Sequence, residues 1–132
     1  MIDFSNEIFT ALATPLRAKF EGVTIVGESV SQPAAFPCVT VDETNNITAH
    51  RDSAERERYS DVTYRVQVFS NAATGKRAEA RAIFKEVCDI MYGLNLMRKT
   101  YSTTPDIYNA AVYKISATFE GTIREDGTIF RR

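Results

Sequence analysis

The sequence predicts an α+β fold: a single domain with a mainly antiparallel sheet of four or five strands, two helices packed on one of its faces, and a long polar arm. Three observations carry that expectation. Two segments, residues 3–20 and 78–92, repeat apolar side chains at helical spacing. Val62–Phe69 and Ala111–Ile123 alternate with the two-residue period of half-buried strands. Residues 44–58 contain almost no apolar side chain. At 132 residues the chain matches one domain, and a chain of that size buries most of one core without disulfides or metals.

In the first helix, Phe4, Ile8, Phe9, Leu12 and Leu16 share one stripe. Asp3 or Ser5 can cap it, and Glu7 lies near its positive end. Pro15 removes one helix hydrogen bond, so either the helix kinks there or Thr14-Pro15 caps a second short helix. Gly22 closes the segment. The β-branched run Val23–Val26 reads as a strand, and 27–36, with Pro33 inside, as a loop. Pro37 can precede a strand but not sit centrally in one. From Cys38 to Glu43, Val39 and Val41 alternate against Thr40 and Asp42.

The polar stretch 44–58 exceeds the usual connection of about 4–6 residues. It reads as an arm, with a projecting region at about 44–60 built from two ragged strand extensions. In the strand that follows, Val62, Tyr64, Val66 and Val68 share one face and Thr63, Arg65 and Gln67 the other. Asn71 or Thr74 is placed to cap the second helix, whose core stripe is Ala80, Ile83, Phe84, Val87, Cys88 and Met91, with Gly93 as its stop. Leu96–Thr103 reads as a strand and Thr104–Asn109 as a loop. In the last long strand Ala111, Tyr113, Ile115, Ala117 and Phe119 alternate against Lys114, Ser116, Thr118 and Glu120. Asp126-Gly127 signals a turn, and Thr128–Arg132 a polar-ended tail.

Chemistry is sparse. Gly75-Lys76 falls short of a phosphate loop, because position 70 is Ser where Gly is required and position 77 is Arg where Ser or Thr is required. His50 is the single histidine and has no cysteine pair near it, so neither metal nor catalytic sites are expected, and no cofactor. Carboxylates at 42, 43, 52, 55, 57 and 61 sit mostly in the polar arm rather than in a cleft of the kind two-acid catalysis needs. Arg51, Arg56 and Arg58 are interleaved with Asp52, Glu55, Glu57 and Asp61, which argues against phosphate binding and against sequence-specific nucleic-acid recognition.

Cys38 and Cys88 lack metal or redox spacing and read as small buried hydrophobes, consistent with folding in a reducing cytosol. No signal peptide and no membrane span are expected. The net charge of −1 is unevenly distributed: residues 1–50 carry −4, residues 51–100 carry +3, and residues 101–132 balance. Beyond solvated surface, such asymmetry suits a subunit whose acidic patch meets a neighbour's basic patch.

The chain resembles the tail terminator (tail-to-head joining) proteins of long-tailed bacteriophages, some known as minor capsid proteins. The resemblance rests on the N-terminal helix, on Phe36-Pro37-Cys38-Val39-Thr40-Val41-Asp42-Glu43 with Asn45-Asn46, and on the polar arm. It continues through Tyr64-Arg65-Val66-Gln67-Val68-Phe69-Ser70-Asn71, through Gly75-Lys76 with the helix after it, and through Tyr113 to Phe119-Glu120-Gly121-Thr122-Ile123. It departs at Tyr92-Gly93-Leu94, where the commonest family form has a Gly-Phe pair, which bears on the turn there. Together these motifs span nearly the whole chain.

The resemblance implies a non-enzymatic virion protein of the tail–head neck, assembled in the host cytoplasm. Such a protein forms a homo-oligomeric ring, usually of six copies, that caps the completed tail tube and joins it to the head. Its partners would be itself, the tail tube protein and a head-completion or connector protein, with no membrane. DNA would pass through the ring, whose lining is then expected not to be strongly basic. Asn45, Asn46, His50, Arg51, Glu55, Arg56, Arg58, Arg65 and Gln67 form the candidate assembly interface. Two other readings stand beside this one: a head-completion protein at the portal, and a small enzyme or ligand-binding domain.

Overall fold

A computed structural model describes residues 1–27, 35–51, 57–72, 74–105 and 112–131. The elements run α1 (Ser5–Lys19), β1 (Thr24–Val26), β2 (Cys38–Arg51), β3 (Glu57–Ser70), α2 (Lys76–Gly93), β4 (Met97–Pro105), β5 (Tyr113–Arg124) and β6 (Ile129–Arg131). The six-stranded sheet has the order β1-β2-β3-β5-β4, with β6 on β5. Only β1 pairs in parallel, on β2; the other pairings are antiparallel. The α+β class therefore holds, with one or two strands more than expected. The added strand is the tail, which pairs Ile129–Arg131 with Gly121–Ile123; β4 is also longer, running through Pro105 where a loop was expected from Thr104.

Strand β3 is the spine. It pairs with β5 without a register shift from Tyr59↔Arg124 to Ser70↔Tyr113. That register puts Val62, Tyr64, Val66 and Val68 beside Ile115, Ala117, Phe119 and Ile123 on one face, because side chains alternate with period two. Both helices cover that face. Ile8, Leu12 and Leu16 from α1 and Ala80, Ile83, Phe84, Val87 and Met91 from α2 join these strand residues in one core. Gly121 sits where close approach demands it: a Cβ there would stand 2.8 Å from Leu96 Cδ2 and 3.3 Å from the Asn95 carbonyl oxygen.

Helix α1 runs continuously from Ser5 to Lys19 with Pro15 inside it, so Thr14-Pro15 does not start a second short helix. Pro15 is exposed, while Leu12, Ala13 and Leu16 on either side are buried. Core contacts on both sides of the missing hydrogen bond thus outweigh its loss. The Asp3 carboxylate accepts the Ser5 N–H at 3.0 Å. Gly75, not Asn71 or Thr74, precedes α2, at φ 77° and with no side-chain cap. Gly93 lies inside α2, and the left-handed residue beyond it is Asn95 at φ 64°. There the Asn95 amide reaches the Ile129 carbonyl at 3.1 Å, so asparagine serves where glycine was expected.

The opposite face of the sheet was expected to be polar and open. Most of it carries Thr63, Arg65, Ser116, Thr118 and Glu120, all half-buried. One end differs: Cys38, Phe69 and Val112 are buried there with Val26 and Phe36 against them, forming a second, smaller core. Cys38 is thus the buried hydrophobe expected, and burial raises its thiol pKa. Cys88 is only half-buried.

Candidate assembly surfaces

Three regions carry the polar and exposed groups. The first is the open face around Arg65. The β2–β3 register sets Thr40 across from Gln67 and Asp42 across from Arg65. Arg65 Nη2 donates to Asp42 Oδ2 at 3.2 Å, and Thr40 Oγ1 donates to Gln67 Oε1 at 3.4 Å. Thr40 and Gln67 are buried. Asp42 Oδ1 and Arg65 Nε are also buried, and neither has a hydrogen-bond partner among the described residues. Leaving such atoms unpaired is costly, so the face is suited to water or a docking surface that completes the pair.

The second region is the far end of the β2–β3 hairpin. The register shifts there, between Glu43 and Asn45 and again around His50. On the open face Ile47 is 55 % exposed and Phe130 44 % exposed, and Tyr59 packs against Phe130 with ring centroids 6.2 Å apart. Beside them Thr122 donates to Asp61 at 2.6 Å. An apolar patch on an otherwise polar face is the kind of surface that partners cover.

The third region is a groove of about 400 Å³ between α2 and the sheet edge β4, lined by Arg81, Phe84, Lys85, Cys88, Asp89, Arg98 and Tyr101. Phe84 and Tyr101 stack at 5.2 Å. Arg81 donates to the Tyr101 hydroxyl at 3.1 Å, and the Arg98 guanidinium lies over the Tyr101 ring at 5.5 Å. Burial raises the Cys88 thiol pKa, with Arg98 opposing the shift.

Across the molecule lies an acidic corner. Ser5 Oγ donates to Asp3 at 2.7 Å and to Glu43 at 3.3 Å. Glu43 also accepts from the Tyr64 hydroxyl at 2.8 Å. Burial pushes the Tyr64 phenol pKa well above its ordinary value, and Glu43 adds to the shift. The Ser5 hydroxyl and N–H hold the Asp3 carboxyl below the usual range.

Of the sequence-derived interface residues, Asn45, Asn46, Arg65 and Gln67 have described side chains. Asn45 is exposed and pairs with Thr63 across the strands. Asn46 turns inward: its amide donates to the Ile2 carbonyl at 2.8 Å and to Glu43 at 3.1 Å, and its carbonyl oxygen accepts from Ser60. Arg65 and Gln67 sit together on the open face. His50 and Arg51 lie in β2 and Arg58 in β3, near the hairpin end. Glu55 and Arg56 lie outside the described residues. The α2–β4 groove was missed, although Arg77, Arg81 and Lys85 recur every four residues along α2 and mark a cationic stripe. Among the described residues no group of three His, Cys, Asp or Glu side chains is placed to hold a metal. Nor does any described helix have the length and apolarity to cross a membrane.

These features define a small sheet-and-helix protein whose exposed polar and charged groups, among the described residues, are spread over several surfaces. A family model, tail completion protein gp17, matches residues 6–131, and the chain belongs to that family of structural phage proteins. In fold it is similar to a chain of the virion of a native gene transfer agent particle. That match has a TM-score of 0.63 and 16% identity, and covers 89% of this chain and 91% of the other. No curated protein matches the chain in sequence.

Proposed function

We propose that the protein is a structural, non-enzymatic component of the virion neck that closes the finished tail tube as a ring, six copies being the expected number, and joins it to the head. Family membership across residues 6–131 supports this reading most strongly. The exposed Ile47 and Phe130 at the hairpin end, on a face of half-satisfied polar pairs, supply docking surface. In this reading the single domain, residues 1–132, uses the hairpin end at about 44–60 as the arm that meets the tail tube protein or the head-completion protein. Assembly takes place in the host cytoplasm, and DNA passes through the ring.

Electron microscopy of particles from the parent phage lacking this gene tests the reading. Overlong or irregular tails, detached from DNA-filled heads, are the expected result. Normal tails beside heads that leak DNA would move the protein to the portal as a head-completion protein. Intact infectious particles would remove it from the neck.

The arm is tested separately. Replacing residues 49–59 with Asn-Gly closes Thr48 on Ser60 through a two-residue turn, and keeps the inward-facing Asn46. The variant should remain folded by circular dichroism yet leave tails unjoined to heads. Normal joining would exclude residues 49–59 as the docking arm.

A further inference from the structure

The proposed ring requires two different surfaces on each copy, because head-to-tail contacts close into rings only when one patch of a subunit meets another patch of the next. The sheet order β1-β2-β3-β5-β4 places the edge strands β1 and β4 four strand spacings apart, roughly 19 Å at ~4.8 Å per spacing. The two ends carry opposite charge. At the β4 end, exposed Arg81, Lys85 and Arg98 line the groove together with one acid, Asp89, and exposed Arg77 lies one turn before Arg81 on α2. At the other end, exposed Asp3 and Glu7 join half-buried Glu43 around the start of α1. The basic groups of α1, Arg17 and Lys19, lie at its far end, where Lys19 pairs with Glu86 of α2 at 2.7 Å.

Apolar surface accompanies the charge at both ends. The basic end is a groove with an aromatic floor of Phe84 and Tyr101. The acidic end offers half-buried Phe9 beside Val41 and Glu43 in a cleft of about 310 Å³. Strand β4 pairs on one side only, with β5, so its other edge is available among the described residues. An anionic, partly apolar corner is the complement of this groove, and the chain carries one at its opposite end.

We propose that the α2–β4 groove of one copy receives the acidic α1–β2 corner of the next copy, with Glu7 and Asp3 meeting Arg81, Lys85 and Arg98. The assignment rests on the ring reading above and names its subunit contact. A second copy is favoured over nucleic acid because Asp89 lies in the groove and because the chain itself carries an anionic, partly apolar corner. Complementary charge orients the contact and disfavours the reverse arrangement.

Native Cys88 lines the groove, whereas Cys38 is buried, so the contact can be trapped in the assembled particle. Virions carrying Glu7→Cys, treated with a short bis-maleimide, should give a ladder of linked copies on a denaturing gel. Wild-type virions and a Glu7→Cys/Cys88→Ala variant should give none. In parallel, Arg81→Glu/Lys85→Glu should lower incorporation into particles by about tenfold, with recovery on adding Asp3→Lys/Glu7→Lys, because like charges facing each other oppose association.

Rings visible at the neck without a ladder would overturn the contact while leaving the ring intact. Absence of the protein from the neck would overturn both. Loss of salt-dependent DNA retention in Arg81→Glu/Lys85→Glu, without loss of incorporation, would assign the groove to nucleic acid and overturn the contact.

Discussion

The two faces of β3 are built from alternate residues of one strand, yet they obey different rules. On the helix side, Val62, Tyr64, Val66 and Val68 are each at most 1% exposed and lie under α1 and α2. On the other side, Thr63 and Arg65 stay half-exposed, and Arg65 keeps a buried nitrogen that has no partner among the described residues. The first face is closed by its own chain, and its stability comes from apolar area removed from water. The second is satisfied only in part by its own chain, so its residues bear on assembly more than on folding. Substitutions on the two faces should therefore separate stability from assembly.

The largest expected effect is at the closed face. Phe119→Ala removes a ring that is 1% exposed and packed against Phe84 at 6.5 Å. It should cost about 3–5 kcal/mol in urea unfolding. A loss below about 1 kcal/mol would mean the core collapses around the gap, and the contrast between faces would weaken.

Gly121→Ala comes next. Its new methyl would press on Leu96 and on the Asn95 carbonyl, an overpacking worth about 1–3 kcal/mol. Leu96 can give way by changing rotamer, whereas the backbone oxygen cannot. The melting temperature should fall, and an unchanged value would show that the turn after α2 shifts freely.

Tyr64→Phe sharpens the comparison, because Tyr64 is buried but carries a polar tip on Glu43. Loss of that bond should cost about 1 kcal/mol at neutral pH. The pH dependence is the clearer signature. The folded phenol has a raised pKa, so its contribution is fully present below the unfolded tyrosine value of about 10. It is lost as pH rises from there toward the folded value. Wild type should lose stability more steeply than Tyr64→Phe above about pH 10 in denaturant titrations. Parallel curves would show that the phenol is not held protonated.

The smallest stability effect belongs to the open face. Arg65→Ala breaks a partly exposed pair with Asp42 and should cost under about 1 kcal/mol. The same variant should reduce tail joining in a complementation assay. Normal joining with a large stability loss would place Arg65 with the fold instead, and erase the distinction.

Much of this was legible in the sequence. Alternation in Val62–Phe69 and Tyr113–Ile123 shows which side chains face the helices, since period two leaves no choice once one face is apolar, while Ala111, the expected start of the second run, lies outside the described residues. Helical spacing in α2 named its core stripe, and the net −4 of residues 1–50 against +3 of residues 51–100 already separated the two charged ends. Tertiary structure alone decided the rest. It paired the tail with β5 and turned Asn46 inward to the Ile2 carbonyl. It also brought Arg98 and Tyr101 of β4 beside Arg81 of α2, 17 and 20 positions along the chain. Periodicity is local, and it reports which face of an element is apolar. Partners at long sequence separation are chosen by packing and by the need to satisfy buried polar groups, and those conditions exist only once the sheet and helices have met.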